Sequence, residues 1–204
     1  MEPRELIQQN PDISAYLAAS EAVDHEHPVV REVVRSLAAE HPGAYAYAYA
    51  EAAYRHVRDT VPHSADADDP RVTWRASDVL EQRTGICYAK SIAYAALLRA
   101  RGIPAALCYQ RLAEDDGSRP VLHGLVAVLL PGERTWARQD VRGNKPGVDA
   151  QFSLEGERLA WTVRPECNEV DYPVLYTEPH AAVLDALRAA PDRPHLWRTL
   201  PTEL

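Results

Sequence analysis

The sequence predicts an α+β fold, with helices in the first half of the chain and an antiparallel sheet after them. In the first half, apolar side chains repeat at the i, i+3 and i+4 spacing of helices that pack on one face. The pattern changes after Gly102 and Pro104, both of which end helices, and short runs typical of strands follow. Helices and strands in separate blocks are typical of α+β proteins, whereas they alternate along the chain in α/β proteins.

Four helices are predicted before that change. Val29–Glu40 follows Pro28 and carries apolar residues at helical spacing. Ala44–Thr60 alternates Tyr with Ala as a strand would, but Ala is the best helix former and the tyrosines also fall on an i, i+4 stripe. Asp78–Glu81 caps a short helix. Cys87–Arg101 is apolar on most sides, which predicts a helix inside the core.

After the change, three strands are predicted, at Ala105–Leu112, Val121–Leu130 and Arg134–Val141. Glu114–Pro120 supplies the turn between the first two strands. Pro179–Ala190 has the pattern of a final helix, with the proline near its start. The residues after Pro191 show little pattern, and we expect them to fray.

Composition and charge narrow the class of protein. The 204 residues contain no repeat or low-complexity linker, so we expect one domain over residues 1–204, with a recognisable core at about 44–145. A net charge of −8 without a basic patch disfavours nucleic acid. No apolar run reaches the roughly 18 residues of a membrane span. The N-terminus lacks the pattern of a signal peptide, which makes the cytoplasm the expected location. The oligomeric state is not indicated.

The cysteines argue against a disulfide framework and against a metal centre. They are three in number, Cys87, Cys108 and Cys167, and an odd number without an export signal does not predict disulfides. No two of them have C-x-x-C spacing, and His25 and His27 beside Glu26 indicate a metal site only weakly. We therefore expect no metal and no cofactor.

Cys87 is the candidate nucleophile, because it begins the predicted core helix. The N-terminus of a helix carries partial positive charge and unpaired N–H groups. Both stabilise a thiolate, and the N–H groups can also bind the oxyanion of a tetrahedral intermediate. The alternative is a small apolar core residue, since free cysteine is often buried. Cys108 lies within a strand and Cys167 in a loop, so neither has the environment of a helix start.

His123 and Asp140 are the predicted partners of Cys87. His123 lies in an apolar strand, where a histidine is either a satisfied core residue or a placed base. If residues 130–133 form the loop to the next strand, Leu129 pairs with Arg134 and His123 falls directly opposite Asp140. Opposed residues share a face of the sheet with Cβ atoms roughly 4.5–5.5 Å apart, so a carboxylate can hold one ring nitrogen and leave the other for the thiol. A slip of one residue would put them on opposite faces.

The residues around Cys87 resemble the transglutaminase-like superfamily. Gly85-Ile86-Cys87 is similar to the G-x-C at the start of that family's nucleophile helix. Leu97–Ala105 reads L-L-R-A-R-G-I-P-A and is similar to the L-L-R-x-x-G-I-P-A that ends it. Tyr54–His63 also resembles the family's lead-in helix and the turn after it.

The second half of the resemblance includes the other two candidate residues. His123 stands where the family's histidine begins its next motif, and Trp136 with Asp140 matches W-x-x-x-D. The resemblance extends from Ala76 to Lys145. It implies a papain-like arrangement, in which the nucleophile helix packs on an antiparallel sheet that carries the histidine and the aspartate. It also implies acyl transfer through a thioester, with the histidine as base and the aspartate as the group that orients it.

Three further residues are candidates for substrate or oxyanion contacts. In the family, a second oxyanion donor often comes from a side chain before the nucleophile, and Trp74 and His63 are candidates by position. For Trp74 the alternative is a packed aromatic residue. Gly85, without a side chain, would let a substrate backbone come close.

The favoured function is hydrolysis of a peptide or amide, as by a bacterial cysteine peptidase, with a peptide, amide or acyl-thioester as substrate. A transamidase requires a walled, aromatic-lined tunnel that keeps water away from the thioester. Where many family members have an aromatic and an acidic residue after the histidine, this chain has Leu125 and Ala127. The alternatives are a transamidase, an acyltransferase that uses carrier-bound thioesters, and a binding module that has lost the chemistry. Glu166, Glu169 and Asp171 are interpreted as a solvated acidic stretch.

Overall fold

A computed structural model describes residues 5–40, 45–113 and 120–204, and it confirms the α+β fold. The first residue of the predicted helix Ala44–Thr60 and most of the predicted turn Glu114–Pro120 lie outside the described residues. The helices of the first half are α1 (Pro28–Glu40), α2 (Ala46–Thr60), α3 (Ala76–Gln82) and α4 (Cys87–Arg99). Each of the four helices predicted from periodicity is therefore present.

Helix α4 lies at the centre of the core, as its apolar composition predicts. Every residue from Cys87 to Arg99 is buried, and α4 contacts all three other helices of the first half and the sheet. Arg99 tolerates this burial because its guanidinium donates hydrogen bonds to the carbonyls of Ala105, Ala18 and Thr177. The end of α4 is thereby fastened to both terminal regions of the chain.

The main sheet is antiparallel, with the strand order β4-β3-β2-β5. Its strands are β2 (Ala105–Ala113), β3 (Pro120–Val128), β4 (Ala137–Gln139) and β5 (Val170–Asp171). Two shorter strands, β1 (Ile7–Gln8) and β6 (Val174–Leu175), form a separate parallel pair. The strand predicted at Arg134–Val141 is shorter than expected.

The predicted register between β3 and β4 is wrong by two residues. Val128 pairs with Ala137, so a continued ladder would place Leu125, and not His123, opposite Asp140. The connection is longer than predicted: β3 ends at Val128 and β4 begins at Ala137, and the turn closed by the N–H of Glu133 and the carbonyl of Leu130 (3.0 Å) occupies only part of it. Residues 134–136 then remain outside the strands. A shift of two residues does not change which face of the sheet a side chain occupies, so the side chains of His123 and Asp140 still lie on the same face.

The expectation that the C-terminal residues fray is also wrong. After α5 (Ala181–Ala189) comes α6 (Arg193–Thr199). Asp192 caps α6 by accepting a hydrogen bond from the N–H of His195 (2.7 Å), and a proline lies in its first turn. Leu196 is buried, and the N–H of Leu122 donates to the carbonyl of Pro201 (3.2 Å). The helix is thereby tied to the start of β3.

Candidate functional site

Cys87 is the first residue of α4 and opens onto a cleft of about 780 Å³. It is 9% exposed. The first helical hydrogen bond of α4 is from the N–H of Lys90 to the carbonyl of Ile86 (3.0 Å). The N–H groups of the residues before Lys90 therefore have no partner within the helix. This is the environment that the sequence predicts for Cys87.

His123 and Asp140 meet at the same cleft. His123 Nε2 lies 2.8 Å from Asp140 Oδ2, and both side chains are almost completely buried. The other ring nitrogen, Nδ1, is not held by Asp140, and the side chain of Cys87 lies close enough to His123 to influence its charge. The structure thus brings together the three residues that the sequence predicts as nucleophile, base and orienting acid.

Two backbone N–H groups hold Asp140 as well. Its Oδ2 accepts from the N–H of Ala160 (3.0 Å) and its Oδ1 from the N–H of Arg142 (3.0 Å). Burial by itself would raise the pKa of Asp140, but the charge and hydrogen bond of His123 and the two N–H groups lower it. Asp140 is therefore a carboxylate with a fixed orientation.

The charge of Asp140 in turn acts on His123. Burial by itself would lower the pKa of His123, but the carboxylate of Asp140 and the side chain of Cys87 raise it to about 10. At neutral pH the imidazole is therefore protonated. A histidine held by a carboxylate beside a cysteine is the arrangement of a base and a thiol nucleophile.

Gly124 lets α4 approach β3 closely enough for this contact. A Cβ atom on Gly124 would lie 2.9 Å from Cδ1 of Tyr88 and 3.1 Å from its Cα. Tyr88 follows Cys87 and Gly124 follows His123, so the close approach aligns both reactive side chains. The hydroxyl of Tyr88 donates to the carbonyl of Leu122 (2.7 Å) and strengthens the same contact. The sequence analysis missed Gly124, although a glycine inside a strand is a signal of close backbone approach.

His63 lies in the same cleft as Cys87, as its position in the sequence suggests. It lines the cleft, forms a parallel bridge with Gly85, and is 7% exposed. Its Nδ1 is buried without a hydrogen-bond partner in the described part of the chain. Burial and, secondarily, the charge of Arg142 lower the pKa of His63 to about 3. The ring is therefore neutral at pH 7 and carries one N–H.

The structure does not bring the other two candidates to the cleft. Trp74 lies between the guanidinium groups of Arg75 and Arg188, at 4.4 and 4.5 Å from its ring centre. It is therefore the packed aromatic residue of the alternative interpretation. At Gly85 a Cβ atom would lie 3.1 Å from Cβ of Ala89, so the missing side chain makes room for α4 and not for a substrate.

The tryptophan in contact with His123 is Trp161, which was not among the residues predicted from the sequence. Its ring meets the ring of His123 edge to face, with centres 5.0 Å apart. The guanidinium of Arg142 lies 5.2 Å from the same ring and also binds the carboxylate of Asp66 through both terminal nitrogens (2.7 and 2.9 Å). Lys145 binds Asp66 too (3.1 Å). Trp161 follows no motif, and only the folded chain brings it to His123.

A buried lysine lies one turn along α4 from Cys87. Lys90 is fully buried, and its ammonium donates to the carbonyls of Arg58 and Val61 at the end of α2. Burial and, secondarily, the charge of Arg142 lower the pKa of Lys90 to about 7. Lys90 thus joins the nucleophile helix to the segment that leads into His63.

Leu125 and Ala127 do not belong to the cleft. Both are fully buried in a second apolar cluster with Tyr16 and Trp136. The aromatic residues of the cleft are Trp161, Trp197 and Tyr88. The sequence-based argument against an aromatic wall is therefore wrong, because residues distant in sequence supply that wall.

Glu169 and Asp171 are also not the solvated stretch predicted. Glu169 is 6% exposed, lines the cleft and binds Arg164 (2.7 Å). Asp171 binds Arg138 at 2.7 Å with its side chain 6% exposed. Glu169 immediately precedes β5 and Asp171 is its last residue, so both carboxylates lie at the β5 edge of the sheet.

The remaining chemical candidates are placed away from the cleft. Cys108 is fully buried in β2, and burial raises its pKa to about 12. Cys167 does not line the cleft. In the three described ranges, no group of three His, Cys, Asp or Glu side chains could hold a metal ion. Within the same ranges, no helix has the length and apolar character to cross a membrane.

The fold and the site define a class of α+β proteins, in which a cysteine at the start of a core helix meets a histidine and an aspartate carried by an antiparallel sheet. A model of the transglutaminase-like superfamily matches residues 31–141, which is more than half of the 204 residues. The chain belongs to the transglutaminase-like superfamily. This confirms the resemblance seen in the sequence motifs.

A solved structure agrees with this fold. The chain is similar to a candidate cysteine protease from Cytophaga hutchinsonii, with a TM-score of 0.50 and 19% identity. The match covers 68% of this chain and 46% of that protein, so this chain corresponds to less than half of its length. At this identity the similarity shows the fold alone. The curated proteins contain no match to the chain.

Proposed function

We propose that the protein is a cysteine hydrolase that cleaves a peptide or amide bond through a thioester on Cys87. His123 is the acid and base, and Asp140 orients it. The observation that supports this most strongly is the 2.8 Å contact between His123 Nε2 and Asp140 Oδ2, with Nδ1 left for Cys87 at the start of a helix. This combination activates a thiol that is otherwise mostly protonated at neutral pH.

In the first half of the reaction, Cys87 Sγ attacks the carbonyl carbon of the substrate. The developing oxyanion accepts hydrogen bonds from the N–H of Cys87 at the helix start and from the neutral ring of His63. The proton on His123 passes to the leaving nitrogen, the C–N bond breaks, and the thioester remains on Cys87. The role of His63 as the second donor is supported by its Nδ1, which is buried without a partner among the described residues, because such an atom indicates a missing ligand.

In the second half, water completes the reaction. His123 takes a proton from water, the oxygen attacks the thioester carbon, and the acid product leaves as the thiolate and the protonated imidazole form again. Water is favoured over an amine acceptor by the charges of the cleft. Its lining includes Arg142, Lys145 and Arg164; Asp66 is shared by Arg142 and Lys145, and Glu169 binds Arg164, so these groups carry one positive charge in excess. Such a lining repels the ammonium group of a lysine side chain.

An acylation burst tests the proposal. Small activated esters and glutaminyl peptides, screened as acyl donors, should give a burst of one product per molecule and an acyl group on Cys87 in the mass spectrum. The burst should vanish in Cys87→Ala and persist in the matched variant Cys167→Ala. A burst that survives in Cys87→Ala would contradict the proposal. Incorporation of a labelled primary amine that outpaces hydrolysis at millimolar amine would establish the transamidase instead.

A further inference from the structure

Among the residues that the structure describes, none pairs with the backbone of residues 161–163, which lie beside His123. Within residues 5–40, 45–113 and 120–204, the N–H and C=O groups of Trp161, Thr162 and Val163 have no hydrogen-bond partner. The three residues form no helix, turn or bend, and the following Arg164 has extended backbone angles (φ −111°, ψ 95°). We call Trp161–Val163 the edge segment. A row of unpaired backbone groups is a template for another extended chain.

Both ends of the edge segment are held in place. Just before it, the N–H of Ala160 donates to Asp140 Oδ2 (3.0 Å). Just after it, the N–H of Arg164 donates to the carboxylate of Glu169, which also accepts from the N–H of Ala113 at the end of β2 (3.0 Å). The segment is therefore positioned before any ligand arrives, which reduces the entropy lost on binding.

The edge segment lies along the same cleft as Cys87. Trp161 contacts His123, and Trp161, Thr162 and Arg164 all line the cleft. Three extended residues span roughly 10 Å. A chain paired with the segment would therefore run from the reactive centre toward the end of β2.

The cleft also offers an apolar surface for a side chain. Near the end of β2 and the C-terminal residues, its lining consists of Leu112, Val121, Leu122, Trp197 and Leu200. In a paired strand, alternate side chains point to opposite faces. One face of a bound peptide would therefore meet this apolar lining while its backbone pairs with the edge segment.

We propose that the acyl donor is an extended peptide that adds to the edge segment as a further strand and places an apolar side chain against Trp197 and Leu200. Backbone pairing supplies the affinity and the apolar lining supplies the selectivity, as in other strand-addition sites. This inference rests on the proposed function, because Cys87 is the group that the peptide must reach. It predicts discrimination against small acyl donors that lack peptide groups.

N-methylated probes test the backbone pairing. The parent probe is acetyl-Leu-Leu-Ala with an acyloxymethyl ketone, and two further probes carry a methyl group on the amide nitrogen of the first or the second leucine. The second-order rate of Cys87 labelling is measured by mass spectrometry, and the iodoacetamide rate reports the intrinsic reactivity of the thiol. Along a strand, successive backbone N–H groups point alternately toward and away from a given neighbouring strand. A methyl group on the leucine nitrogen that faces the edge segment should therefore slow labelling at least tenfold, and a methyl group on the other leucine nitrogen should slow it much less.

Two variants of the edge segment test the protein side of the same pairing. Thr162→Pro removes one backbone N–H, and because that N–H has no partner within residues 5–40, 45–113 and 120–204, the substitution breaks no hydrogen bond among them. Thr162→Ala keeps the N–H. We expect the parent probe to label Thr162→Pro several times more slowly than Thr162→Ala, with equal iodoacetamide rates. Replacing both leucines of the probe by lysine should also slow labelling at least tenfold.

The outcomes separate this inference from the proposed function. Equal rates for the parent and both methylated probes, with normal iodoacetamide labelling of Cys87, would overturn the strand addition and leave the hydrolase proposal intact. Failure of iodoacetamide and of all probes to label Cys87 would overturn both. Faster labelling by a leucine-free acetyl probe than by the parent would show that the cleft takes a small acyl donor and not a peptide.

Discussion

Asp140 is the residue at which burial and hydrogen bonding oppose each other most directly. Its side chain has no exposed surface, and burial favours the neutral, protonated form of a carboxyl group. Three donors, His123 Nε2 and the N–H groups of Ala160 and Arg142, favour the carboxylate and lower the pKa of Asp140. Its orientation is therefore set on both oxygens. This is the arrangement required of a residue that acts through His123 without contacting the substrate.

Asp140→Asn is expected to preserve the fold and to lower turnover by a factor on the order of 10⁴, as the equivalent change does in a serine-protease triad. The amide has no charge to stabilise the protonated imidazole. The measurement is kcat with whichever donor gives the acylation burst, and Asp140→Ala should behave similarly. Asp149→Asn is the matched control, since Asp149 is exposed and binds Arg158 (3.2 Å). Near-normal turnover in Asp140→Asn would show that another acid orients His123.

Lys90 predicts a pH dependence of stability. Its pKa is lowered from 10.5 to about 7 in the folded protein, chiefly by burial. Between these values the unfolded chain binds more protons than the folded protein, so this residue makes stability rise with pH. We expect the free energy of unfolding of Lys90→Met to exceed that of the wild type most at low pH, with the difference shrinking between pH 7 and 10.5. Denaturant titrations at several pH values measure it, and a difference that grows with pH would contradict the assignment.

At the scale of elements, the contact between α4 and β3 controls the site. The start of α4 reaches the backbone of β3 because Gly124 has no side chain. The G-x-C motif predicts where α4 begins, and the structure begins it at Cys87. The two-residue error in the β3–β4 register arose because eight residues, 129–136, connect the strands where a loop of four was assumed. Sequence patterns specify which face a side chain occupies better than they specify loop length.

Gly124→Ala tests the contact between α4 and β3. The added methyl group would approach backbone atoms of Tyr88 at 3.1 and 3.3 Å, so α4 must shift. We expect a loss of stability of about 1–3 kcal/mol and a fall in turnover on the order of 100-fold, since small misplacements of reacting groups are costly. Gly156→Ala is the matched control, because a Cβ atom there meets nothing within 4 Å. Equal turnover in the two variants would show that α4 adapts without moving Cys87.

At the scale of the whole molecule, the site combines segments that are distant in sequence. The central part of the chain supplies Cys87, His123 and Asp140, and motifs and strand patterning predict all three. Trp161 and Trp197 come from an irregular segment and from α6, where no periodic pattern or motif marks them. Their place in the cleft depends on long-range contacts such as that of Leu122 with Pro201. The convergence of Cys87, His123 and Asp140 was therefore predictable, whereas the rest of the cleft lining was not.

The most direct test of the site as a whole is selective alkylation of the native protein. Brief treatment with iodoacetamide at pH 6, followed by peptide mapping, compares all three cysteines when most thiols are protonated. We expect Cys87 to be labelled far faster than Cys108 and Cys167. Its advantage over Cys167 should disappear in His123→Ala, whereas its advantage over the fully buried Cys108 should disappear only in the denatured chain. Faster labelling of Cys108 or Cys167 in the native protein would contradict the assignment of Cys87 as the nucleophile.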